Sequence, residues 1–108
     1  MQQLVDAFIG TANAFDVEAT LALFTPDARI EDESVGSTFD GTDGVRLYLK
    51  RFFVGYRTVS KCLSLVRLDD ATALVRLDFT GDFGHEIGVL KIKTSADGRI
   101  ERIDADLE

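Results

Sequence analysis

Between positions 28 and 36 the chain reads Ala28-Arg29-Ile30-Glu31-Asp32-Glu33-Ser34-Val35-Gly36, and the alternation there singles out one acid. In an extended segment Ala28, Ile30 and Asp32 share one side, while Arg29, Glu31 and Glu33 share the other. Asp32 therefore stands on the apolar side. Desolvation disfavours a charged carboxyl, which moves its proton affinity toward that of a base working near neutral pH. The plainer role for Asp32 is to end a strand at a solvated rim and bond to the Ser34 to Gly36 turn. Two further constellations are weaker. Arg76-Leu77-Asp78 sets Arg and Asp two apart on a strand, a spacing that could orient a water between them. Val75, Leu77 and Phe79 mark the core face, however, and turn that pair outward as a surface ion pair. His85, beside Glu86 at the start of a strand, is either a pocket donor or a solvated turn residue.

Other chemistry is poorly supplied. With one His, His85, and one Cys, Cys62, no metal-ligand set is predicted. Cys62 lies in a strand-like run and reads as a structural thiol, and its solitude excludes an internal disulfide. Ser34 and Ser37 have no base partner in sequence. Gly81-Asp82-Phe83-Gly84 is too short and acidic to cradle a phosphate, and no P-loop spacing exists, so no cofactor is expected.

The elements that must position Asp32 follow from periodicity. Leu4, Val5, Phe8, Ile9 and Ala12 recur at helical spacing over residues 2 to 14. Asp16 is placed to cap a second, shorter helix carrying Val17, Leu21 and Phe24, with Thr25-Pro26-Asp27 expected to end it. The strand around Ile30 comes next, then a loop from Gly36 to Gly44, and a third helix capped at Thr42. Val45, Leu47, Tyr48, Leu49, Phe52 and Phe53 make that helix apolar around most of its circumference. From Thr58 the pattern changes to strands: Val59 to Leu68, Ala73 to Phe83, His85 to Thr94 and Arg99 to Leu107, the last pair joined by the turn Ala96-Asp97-Gly98. In the last strand Ile103, Ala105 and Leu107 face inward, which leaves Asp104 and Asp106 on the outer face. Helices followed by an antiparallel meander predict one α+β domain over 1–108, its curved sheet wrapped around three helices of the N-terminal half. A cavity between helices and sheet is the natural ligand site.

Composition narrows the partners. A chain of 108 residues suits one core. Net charge −7, with the twelve Lys and Arg dispersed, argues against nucleic acid. No run reaches membrane-spanning length and the N-terminus lacks a signal-peptide pattern, so a cytoplasmic location is expected. Eight Phe and two Tyr fit a dense core or an aromatic pocket wall.

The run from Ala14 to Leu49 resembles the nuclear-transport-factor-2-like superfamily. The likeness rests on Phe15-Asp16-Val17-Glu18-Ala19-Thr20, Leu23-Phe24-Thr25-Pro26-Asp27-Ala28, Ile30-Glu31-Asp32, Val35-Gly36 and Gly41. Within the superfamily it is most similar to the ketosteroid isomerase and polyketide cyclase (SnoaL-like) branch. The resemblance implies the same cone of sheet around three helices, and it implies a homodimer. Ketosteroid isomerases hold their general base on a strand reading Val-Glu-Asp, followed by Pro, an apolar residue or Phe, and Gly. Ile30 to Gly36 is similar, with one extra residue before the glycine, and puts Asp32 in the base position. The family's tyrosine donor aligns with Phe8, which cannot donate, and its second donor falls near Gly88. Arg76-Leu77-Asp78 also resembles part of the Asp-Arg-Asp set of limonene epoxide hydrolases, whose third acid would fall near Ala105.

These expectations define an isomerase- or cyclase-type enzyme for a small apolar carbonyl ligand. Asp32 would take a proton from the carbon beside the carbonyl, with Phe8, Phe15, Phe24, Phe52 and Tyr56 shaping the wall. Tyr48, Tyr56 or His85 would be the replacement donors. The alternatives are a non-catalytic ligand-binding or dimerisation module of the same fold, and water activation of the epoxide-hydrolase kind.

Overall fold

The computed structural model describes residues 1–108. Helices α1 (Gln2–Asn13) and α2 (Val17–Leu21) precede β1 (Phe24–Asp32) and β2 (Ser37–Asp40). Helix α3 (Gly41–Tyr48) then runs into a π-helical turn (Leu49–Val54), and β3 (Val59–Arg67), β4 (Thr72–Gly81), β5 (Gly84–Thr94) and β6 (Ile100–Leu107) complete the chain. The six strands form one sheet in the order β2-β1-β6-β5-β4-β3. Strands β3 to β6 are the antiparallel meander that the alternation predicts. One pairing departs from an all-antiparallel sheet: β1 runs parallel to β6, with Ile30 opposite Ile103 and Asp32 opposite Ala105.

Local chemistry explains the element boundaries. Asp16 caps α2 as its type predicts, its carboxylate accepting the Ala19 amide at 3.0 Å. Thr25-Pro26-Asp27 does not end a helix but lies inside β1, since α2 stops at Leu21. Pro26 has no N–H to give, and the β1–β6 register shifts between Phe24 and Arg29, where such a residue is tolerated. The expected Gly36 to Gly44 loop also contains a strand. Ser37–Asp40 folds back on β1, with Phe39 buried opposite Ile30. Asp40 rather than Thr42 occupies the cap of α3, and the Thr42 hydroxyl reaches Pro26 O at 3.5 Å. Leu47 remains about half exposed, so α3 is less enclosed than its apolar circumference predicts.

Val5, Phe8 and Ala12 from α1, Val45 and Tyr48 from α3, and Val75, Leu77, Ile92 and Ile103 from the sheet belong to one buried cluster. Between helix and sheet edge, the Asn13 amide donates to Ser60 O (2.9 Å) and accepts the Ser60 amide (2.7 Å), covering part of the edge strand β3. No helix is long and apolar enough to cross a membrane.

Candidate functional site

Strand β1 delivers Asp32 to the inner face as its last residue, where it is 6% exposed. Its carboxylate is well supplied with donors. The Ser34 amide (3.0 Å) and hydroxyl (2.5 Å) both donate to Oδ1, while the Tyr48 hydroxyl donates to Oδ2 at 2.6 Å. The two roles weighed for Asp32 are thus not exclusive: it bonds to the following turn and it faces an apolar interior. Three charge-assisted hydrogen bonds offset the loss of its hydration shell. Tyr48 comes from the end of α3 and is itself buried; burial first, and then the negative Asp32 carboxylate, push its hydroxyl well above the usual tyrosine range. Tyr48 consequently remains a donor throughout the physiological range.

Above this pair lies a cavity of about 290 Å³. Its aromatic wall is continuous. Tyr48 packs on Phe52 with ring centres 4.9 Å apart, Phe52 on Tyr56 at 6.3 Å, and Tyr56 edge-to-face with Phe83 at 6.0 Å. The π-helical turn is what presents Phe52 and Phe53 together to the cavity. Thr58 secures it by donating its hydroxyl to Phe52 O (2.6 Å) and its amide to Phe53 O (2.8 Å). Thr58, Phe79, Leu90, Ala105 and Leu107 extend the lining, and Glu86 and Asp106 border it.

Of the residues selected from sequence, Asp32, Tyr48, Phe52 and Tyr56 meet at this cavity. Others do not. Phe8 and Phe24 pack edge-to-face in the core at 6.1 Å and do not themselves line the cavity; Phe8 stands behind the lining residue Phe53, because the helix α1 stripe that carries it is the core stripe. Phe15 is 40% exposed at the end of α1, in a left-handed turn conformation (φ 57°). His85 lies on the outer sheet face, where its Nε2 sits 2.6 Å from Asp78 Oδ1, and is corrected as a pocket donor. Arg76 bonds Glu108 on that same face, so Arg76 and Asp78 are turned away from the cavity and hold separate partners. No three His, Cys, Asp or Glu side chains converge as a metal-ligand set.

Gly88 carries a finding that the sequence did not announce. A Cβ at this position would overlap the Phe79 ring, so the space beside Gly88 is already filled by an aromatic edge. Ser34, Phe79, Phe83 and Glu86 are among the site residues that periodicity missed. Glu86 was legible as the inward alternate to His85; the Ser34 contact depends on a turn whose geometry periodicity does not describe.

Residues 5–105 match the family model described as the SnoaL-like domain. The chain belongs to the SnoaL-like domain family. Compared with curated proteins, its sequence gives no significant match. Its fold is that of the nuclear-transport-factor-2-like proteins, and solved structures share it over nearly the whole chain. One is SalBIII, an epoxide hydrolase/cyclase-like enzyme with a role in pyran ring formation in the polyether salinomycin: 20% identity, TM-score 0.86, 99% of this chain and 89% of that one covered. Another is SMa1630 from Sinorhizobium meliloti, a candidate polyketide cyclase, with 25% identity, TM-score 0.85, and 95% and 93% covered. A third, RV0760c from Mycobacterium tuberculosis, was solved with estradiol-17beta-hemisuccinate, with 19% identity, TM-score 0.84, and 96% and 90% covered. In this SnoaL-like domain, as in the expectation from Ile30 to Gly36, the acid at the end of β1 opens onto the cavity between helices and sheet.

Proposed function

We propose that this protein is a small-molecule enzyme of the isomerase or cyclase kind, with Asp32 as its general base. The observation that carries the reading is the uneven solvation of the Asp32 carboxylate. Oδ1 accepts two hydrogen bonds and Oδ2 accepts one, which leaves Oδ2 with spare acceptor capacity on a residue that lines the apolar cavity. In the proposed step Oδ2 takes the proton from the carbon beside a ligand carbonyl. The C–H electron pair becomes the enolate π bond, and the carbonyl π pair moves to oxygen. Returning that proton to a different carbon gives an isomer, whereas attack of the enolate carbon on a second carbonyl of the same molecule closes a ring, that carbonyl's π pair moving to its oxygen, which takes the proton back from Asp32. The Tyr56 phenol on the cavity wall is the nearest analogue of an oxyanion donor that the lining supplies besides Tyr48.

The test is deuterium uptake from heavy water by cyclic enones and 1,3-diketones, with the native chain and Asp32→Asn compared. Uptake accelerated by the native chain and lost in Asp32→Asn supports the base. Uptake equal in both chains removes it.

A second reading is favoured by Phe8 and Phe79. Aromatic rings stand where the resembling enzymes carry one donor, and where a side chain at Gly88 would carry the other. On this reading the cavity binds the same ligands without turning them over. Pairing with a second copy through the outer sheet face belongs to either reading, supported by the exposed cross-strand pair Val66 and Leu74; sedimentation equilibrium tests it, and a monomer at all concentrations rejects it.

A further inference from the structure

We propose that the cavity selects ligands bearing a protonated amine on an apolar skeleton, with the ammonium seated at the mouth against Glu86 and the rings of Tyr56 and Phe83. This rests on the cavity being a ligand site, and not on Asp32 being a base. The first argument is charge. Among the cavity's lining residues the ionisable groups are carboxylates and phenols, with no Lys, Arg or His. The second is the absence of a counter-charge at Glu86. On the same sheet, Glu31 and Asp104 meet Arg102, Asp78 meets His85, Glu101 meets Lys93 and Glu108 meets Arg76. Glu86 has no ion pair, nor has Asp106 on the same lining; Arg76 and His85, which stand with Glu86 around a shallow depression, are engaged by Glu108 and Asp78.

The third argument is the surface around that carboxylate. Glu86 faces Phe79 across the β4–β5 ladder on the inner side, and Tyr56 and Phe83 meet edge-to-face beside the same opening. Aromatic faces attract an ammonium, and an unpaired carboxylate adds to that attraction, while a carboxylate or phosphate on the ligand meets only like charge. The apolar remainder of the ligand follows the ring wall from Tyr56 through Phe52 toward Tyr48.

The test uses three probes of one shape, 3-phenylpropylamine, 3-phenylpropanol and 3-phenylpropanoate, with binding followed by chemical-shift changes of the lining residues. The expected order is amine, alcohol, carboxylate, with the amine about fivefold tighter than the alcohol. Glu86→Gln should bring amine and alcohol to parity, and Glu86→Lys should invert the order in favour of the carboxylate. Raising the salt concentration should narrow the preference in the native chain. A carboxylate bound as tightly as the amine overturns the proposal, as does an amine preference that survives Glu86→Gln, or failure of all three probes to shift the lining. Loss of deuterium uptake in Asp32→Asn bears on the base alone, so the two readings fail separately.

Discussion

The Tyr48 hydroxyl donates to Asp32 Oδ2 at 2.6 Å, joining the end of α3 to the end of β1 through a buried acid. Replacing Tyr48 by Phe removes the donor and leaves Oδ2 buried beside an apolar ring. Leaving such a group unpaired costs about 1–3 kcal/mol. Urea unfolding of Tyr48→Phe should show a loss of that size with an unchanged denaturant slope.

The same pair contributes to stability at alkaline pH. Burial and the Asp32 charge hold the Tyr48 hydroxyl well above the ordinary tyrosine range, so the unfolded chain loses this proton first as pH rises. Between the two values the native state binds more protons than the unfolded one. The contribution of Tyr48 is therefore complete below about pH 10 and declines above it. Thermal melts between pH 8 and 11 should show a steeper decline for the native chain than for Tyr48→Phe.

At Gly88 a methyl group would meet the Phe79 ring, which packs edge-to-face on Phe53. Gly88→Ala should lose about 1–3 kcal/mol through overpacking. Pairing it with Phe79→Leu should recover part of that loss, a coupling that a double-mutant cycle measures directly.

Phe8→Tyr would install the hydroxyl that the resembling isomerases carry. Phe8 is 2% exposed and packs on Phe24 and Phe53, so the added oxygen enters the core rather than the cavity lining. We expect a destabilisation of about 1–3 kcal/mol and no gain in deuterium uptake.

Asn13→Ala deletes both hydrogen bonds to the Ser60 backbone. The expected cost is about 2 kcal/mol. Amide exchange should quicken at Ser60 before it quickens in β5, because β3 lies at the sheet's edge and β5 lies inside it.

Much of this architecture was legible from periodicity, and the reasons are physical. The meander shows because Val75, Leu77 and Phe79 alternate with polar residues, and a sheet with one buried face enforces that alternation. The second helix shows through its cap, Asp16. Strand β2 did not, since a four-residue strand with a single buried side chain, Phe39, leaves too little pattern. Nor did the parallel β1–β6 pair, because alternation reports which face a residue takes and not which strand lies beside it. At the site, Asp32 was legible by its face, whereas Tyr48 was read as a possible donor whose position only tertiary packing could fix. Phe8 and Phe24 failed as wall residues for the opposite reason: an apolar stripe looks the same whether it lines a cavity or fills a core.

Strand β6 is the last element of the chain and lies between β1 and β5 in the sheet. Asp32 is held opposite Ala105, and the Glu33 amide donates to Ala105 O at 2.9 Å. On a ribosome, then, the strand bearing Asp32 emerges before β2 to β5, and its neighbour β6 is made only after all of them. Until then β1 and β5 carry open edges on the two sides that β6 will fill, so a nascent chain is most exposed to wrong pairing just before β6 is made. A stop a few residues short of Ala105 would remove more than a tail: it would split the sheet down its middle.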